Sequence, residues 1–154
     1  MRLTVEALDH LVVNVTDVER SVAWYQRVLG MRREDLPGSP VRTSVHFGRQ
    51  KINLRPVSAS KQDWFTADRE AAGSDDLCFI TQETPENVVA HLNACDVPVE
   101  LGPVMRRGAR GDMTSVYCRD PDGSLIEIAT YGDGDVNGPT AGESGSAAPG
   151  TTSR

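Results

Sequence analysis

The chain has 154 residues, 38% of them hydrophobic and 25% charged, which is the length of one domain and enough to bury a core without covalent staples. Its 16 basic and 22 acidic residues leave a net charge of −6, which argues against a nucleic-acid module held by phosphate contacts. No apolar run approaches the roughly 18 residues of a membrane helix, and no apolar signal region opens the chain, so the expectation is a cytoplasmic protein without membrane or nucleic-acid partners.

Leu8 to Val15 reads as a strand, with Leu11, Val13 and Val15 on one face. Thr16-Asp17-Val18-Glu19 has the T-x-x-E form of a capping box, Val18, Val22, Tyr25, Val28 and Leu29 follow at helical spacing, and Gly30 supplies a stop. Short strands are expected near Arg32–Asp35, Arg42–Phe47 and Gln50–Arg55, the last two joined by a tight turn at Gly48. Residues 56–73 form a long connection of the kind that often serves as a lid or binding loop. Trp64 and Phe65 in its middle either cap a ligand cleft or pin the loop to the core or to a second subunit.

Asp76 to Thr81 reads as the next strand. Thr84-Pro85-Glu86 starts a second helix whose apolar face is Val88, Val89, Leu92 and Cys95. Strands near Val99–Leu101, Thr114–Arg119 and Leu125–Thr130 follow, with a turn at Asp120-Pro121-Asp122-Gly123. Arg106-Arg107-Gly108-Ala109-Arg110 reads as a solvated loop or a holder of a substrate anion. After Tyr131 the composition changes: residues 132–154 hold six of the 14 glycines, and Val136 is the one large aliphatic residue. A folded domain over 1–131 and a disordered tail over 132–154 are expected. The cysteines, Cys78, Cys95 and Cys118, form no C-x-x-C pair and read as reduced, buried thiols.

Both halves thus repeat strand, helix and three strands, with Asp9-His10-Leu11 and Asp75-Asp76-Leu77 opening the units 66 residues apart. The fold class expected is α+β: two βαβββ modules forming a curled, U-shaped mixed sheet with helices on its outer face. Strand alternation puts aliphatic side chains under the helices and turns His10, Asn53, Arg55, Asp76 and Glu127 to the other face. Carboxylates gathered there need a cation, a proton or an arginine to coexist. A divalent metal is one solution, and an ion-pair cluster of Arg55 with Asp76 and Glu127 is another. His46 and His91 have no partner by spacing and read as surface or structural residues.

The segments LDHLVVNVTDVERSVAWYQRVLGM, FGRQKINL and RDPDGSLIEIATY together resemble the vicinal oxygen chelate superfamily, which includes glyoxalase I, fosfomycin-resistance proteins, extradiol dioxygenases and bleomycin-binding proteins. The resemblance runs from residue 6 to 131. It implies a metal site with one ligand at the start and one near the end of each module. Carried over by position, these ligands fall on His10, Asp76 and Glu127, while Asn53 stands where a glutamate is usual and Arg55 where close relatives tend to have histidine. Zn, Ni, Mn or Fe would suit the three donors. On this reading the protein is a metal-dependent enzyme acting on a small oxygen-rich molecule, lyase-like or dioxygenase-like, with Glu127 as catalytic base and the metal as Lewis acid. Arg55, Tyr117 and Arg119 would contact the substrate, and a homodimer is the default. The alternative is a non-catalytic, drug-sequestering binding protein of the same fold without metal. A third reading keeps only the fold, its cleft filled by ion pairs.

Overall fold

The computed structural model describes residues 2–132, and strand pairing divides that stretch at residue 75. The first half contains β1 (His10–Val15), α1 (Val18–Leu29), β2 (Arg32–Leu36), β3 (Arg42–Phe47) and β4 (Gln50–Pro56). The second contains β5 (Asp76–Ile80), α2 (Pro85–Ala94), β6 (Leu101–Gly108), β7 (Gly111–Arg119) and β8 (Leu125–Thr130). The strands form two four-stranded sheets in the orders β1-β4-β3-β2 and β5-β8-β7-β6. In each, the first and last strands of the module pair in parallel and the other neighbours are antiparallel. The expected duplicated βαβββ fold is therefore present. The expected tail lies, from residue 133 on, outside the described residues.

Alternation places the core as expected. Val13, Val15, Ile52 and Leu54 from the first module join Leu92, Val116, Cys118 and Ile126 from the second in one buried cluster. α1 contributes Val22, Tyr25 and Val28, one turn apart on a single stripe, and Gly30 ends it at φ 64°. α2 begins as its sequence indicates, with Thr84 accepting from the Asn87 N–H at 3.2 Å and Pro85 at the first helical position.

Three local expectations change. The N-cap of α1 is Asp17, which accepts from the Arg20 N–H at 3.0 Å. Thr16 is engaged elsewhere: its N–H donates to Asp122 Oδ2 at 3.0 Å and its hydroxyl to Asp122 Oδ1. β6 is much longer than the sequence suggests and absorbs Arg106 and Arg107, leaving Ala109-Arg110 as the hairpin turn. Gly102, Pro103 and Gly108 disguise it, but β6 is an edge strand, where a proline without an N–H costs no ladder bond. Finally, Cys78 is exposed, while Cys95 and Cys118 are buried and all three are free thiols.

The modules meet along a seam. Tyr25 OH donates to Asp120 Oδ2 at 3.1 Å, and Arg20 pairs with Asp122 at 2.9 Å. Arg27 donates to the Cys95 carbonyl at 2.5 Å and His91 Nε2 to the Val28 carbonyl at 2.9 Å. Phe47 and Phe79 pack edge to face with centroids 5.2 Å apart.

Candidate functional site

Cross-strand partners share a face, so the register shows which side chains stand together away from the helices. On the second sheet, Glu127 of β8 lies between Tyr117 of β7 and Cys78 of β5. Glu127 Oε1 is buried without a hydrogen-bond partner. Ser115, fully buried on the same face of β7, also has an unpartnered hydroxyl. Partial desolvation, and then the Glu127 carboxylate, push the Cys78 thiol up to about 11. Burial, and then Asp120, do the same for Cys118. Neither is a thiolate nucleophile at neutral pH. Burial raises the Tyr117 phenol, the Arg106 hydrogen bond opposes the rise, and Glu127 reinforces it. Arg106 Nε donates to Tyr117 OH at 3.1 Å, with the guanidinium 5.6 Å from the ring centroid.

His10 and Asp76 line one concavity of about 270 Å³ at the seam, together with Cys78, Phe47 and Phe79. His10 Nδ1 is bonded to Asp9 Oδ1 at 2.7 Å. Among the described residues no three His, Cys, Asp or Glu side chains converge as a metal would need. His10, Asp76 and Glu127 thus do not form a chelating set within one chain. The Glu127 oxygen is left without a donor, but the full donor set does not fit a divalent metal there.

The arginines differ from expectation. Arg55 is fully buried and spends its charge on its own chain. It pairs with Glu70 at 3.1 Å and donates to Asn14 Oδ1 at 3.1 Å and the Ala59 carbonyl at 2.6 Å. With no exposed surface it is an anchor for the following loop, not a cation offered to substrate, and the expected cluster of Arg55 with Asp76 and Glu127 is replaced by the Glu70 pair. Arg119 shares the face of Tyr117, but all three of its guanidinium nitrogens are engaged: Nε and Nη2 donate to the Glu100 carboxylate at 2.7 Å each and Nη1 to the Gly123 carbonyl at 3.2 Å. Tyr117 remains half-buried on the site face. Cys78, expected only as a buried thiol, and Glu70 join the site's surroundings. Cys78 was legible from the alternation Asp76, Cys78, Ile80, whereas Glu70 lies in a segment without periodicity.

Residues 7–128 match the model of the Glyoxalase/Bleomycin resistance protein/Dioxygenase superfamily. The chain is 37% identical over 131 residues to the virulence protein STM3117 of Salmonella typhimurium, covering 85% of this chain and 88% of that protein. Its structure is similar to that of the integron cassette protein VCH_CASS1 from V. cholerae, with TM-score 0.80, 39% identity, and coverage of 85% and 99% of the two chains. At the level of fold alone it resembles a lactoylglutathione lyase from Agrobacterium tumefaciens (TM-score 0.64, 23% identity, covering 83% and 96%). A comparable likeness links it to TnmS3, an antibiotic binding protein from Streptomyces (TM-score 0.65, 22% identity, covering 84% and 98%).

Proposed function

The chain belongs to the Glyoxalase/Bleomycin resistance protein/Dioxygenase superfamily, and we propose that it binds a small oxygen-rich molecule on the helix-free face of its second module, with Glu127 as the anchoring acceptor. One observation carries this: Glu127 Oε1 is buried and unpartnered. A buried polar atom left unsatisfied costs about 1–3 kcal/mol, and a ligand O–H or N–H donated to it recovers that cost. Tyr117 and Cys78 flank the acceptor, so the ligand would meet a phenol edge and a neutral thiol. TnmS3, alike in fold, is an antibiotic binding protein.

A second reading is favoured by His10 and Asp76 facing one concavity. In it the protein is a metal-dependent lyase or dioxygenase whose donor set is completed by a second copy of the chain, with Glu127 as base. Bound there, a divalent metal would supply Lewis-acid polarisation of substrate oxygens.

The two separate cleanly. Ligand-observed NMR against a panel of small hydroxylated and carbonyl compounds should find binders whose affinity drops about tenfold in Glu127→Gln, the loss of one charge-assisted hydrogen bond. Elemental analysis of the purified chain and of His10→Ala runs beside it. Binders indifferent to Glu127→Gln overturn the first reading, and stoichiometric metal lost in His10→Ala establishes the second.

A further inference from the structure

The first sheet carries a feature that the Glu127 site leaves unused. Its register aligns Arg32 of β2, His46 of β3, Lys51 of β4 and His10 of β1 in a single row across all four strands. The row sets its two permanent cations, Arg32 and Lys51, on either side of His46. The chain has 22 acidic residues against 16 basic ones, so the material to neutralise this row exists. Yet the nearest carboxylates are committed: Glu34 Oε2 sits 2.6 Å from His46 Nε2, and Asp9 Oδ1 sits 2.7 Å from His10 Nδ1. Among the described residues Arg32, Arg49 and Lys51 have no ion-pair partner.

These three cations surround one space. Arg32, Arg49 and Lys51, with His46, Gln50 and the Asp9 carboxylate that is bonded to His10, line a polar concavity of about 570 Å³ at the β3–β4 turn, within the roughly 300–1,000 Å³ usual for small-molecule sites. Gly30 and Gly48 stand at its wall without side chains. We propose that this concavity is a binding site for a small anion carrying two or more negative charges, a phosphate ester or a polycarboxylate, gripped by Arg32, Arg49 and Lys51. In a protein of net charge −6 the overall field repels such an anion, so an unpaired cationic group also directs it to this face. The site lies on the other sheet from Glu127 and does not rest on the reading of that residue.

Calorimetric titration of the full chain with inorganic pyrophosphate and with citrate, at low ionic strength, tests it. Each should bind, and affinity should fall as NaCl is raised. Arg32→Ala combined with Lys51→Ala should weaken binding about tenfold or more, whereas Arg107→Ala, an exposed cation on β6 paired with Asp112, should leave it unchanged. Neither cation has an ion-pair partner among the described residues, so the anion-free melting temperature of the double variant should stay close to the parent's. Should it fail to fold, Lys51→Gln replaces it with the same expectation of weaker binding. Tighter pyrophosphate binding identifies a phosphate ester as the ligand class, and tighter citrate binding a polycarboxylate. No heat from either anion, or equal affinity in parent and folded variant, overturns the site.

Discussion

Asp75 shows how a single carboxyl can work against its own fold at neutral pH. Burial, and then the nearby Asp120 carboxylate, raise its pKa, and a Ser124 hydrogen bond only partly offsets them. The native state therefore holds more protons than the unfolded chain between the ordinary aspartate value and the raised one. Stability falls as pH rises through that window. Asp75→Asn should raise the melting temperature at about pH 7, and the gain should vanish as the buffer approaches about pH 3, where the parent's Asp75 is protonated in both states. Thermal melts of parent and variant across that range check it. A gain that persists at the acidic end would show that charge is not the cause. Tyr25 belongs to the same neighbourhood: burial and Asp120 push its phenol far up, so it stays a neutral donor to that carboxylate.

At the scale of elements, the long connection after β4 is held by what it folds over. Arg55 points from β4 into residues 57–70, pairing with Glu70 and donating to the Ala59 carbonyl. Trp64 is 5% exposed beneath the Arg42 guanidinium, 4.8 Å from its ring centroid, while its neighbour Phe65 is 90% exposed. Of the roles open to the two aromatics in sequence, Trp64 takes the pinning one. Removing one partner of a buried ion pair typically costs about 3–5 kcal/mol, since the other charge stays behind. Arg55→Met should lower stability by about that amount in urea titrations and open the connection to limited proteolysis. A loss below about 1 kcal/mol would place the Glu70 carboxylate in water, not against Arg55. Strand alternation places Arg55 on the helix-free face, while the returning chain that covers it is set by contacts alternation does not encode.

For the whole molecule, one apolar cluster draws on both modules, and Asp122 couples them through Thr16 and Arg20 from a side chain only 4% exposed. A shared core predicts a single cooperative transition. Fluorescence of Trp24 and Trp64, both in the first module, should give the same urea midpoint as far-UV circular dichroism of the whole chain. Asp122→Ala should lower both midpoints together, for a stability loss of about 2–4 kcal/mol from the lost charge-assisted bonds. Separated midpoints would mean that the modules unfold independently.

Periodicity alone determined the duplicated βαβββ order, both helices with Gly30 and Thr84 at their ends, and the face on which His10, Asp76, Tyr117 and Glu127 stand, because side-chain direction along a strand or helix is a local property of the backbone. Only the tertiary structure decided who meets whom. Arg55 found Glu70, Thr16 left its expected capping role for Asp122, His10, Asp76 and Glu127 failed to converge in one chain, and Arg32, His46 and Lys51 lined up across three strands. Each of those outcomes depends on strand register and on loops crossing between elements, set by contacts among residues distant in the chain that no local pattern encodes.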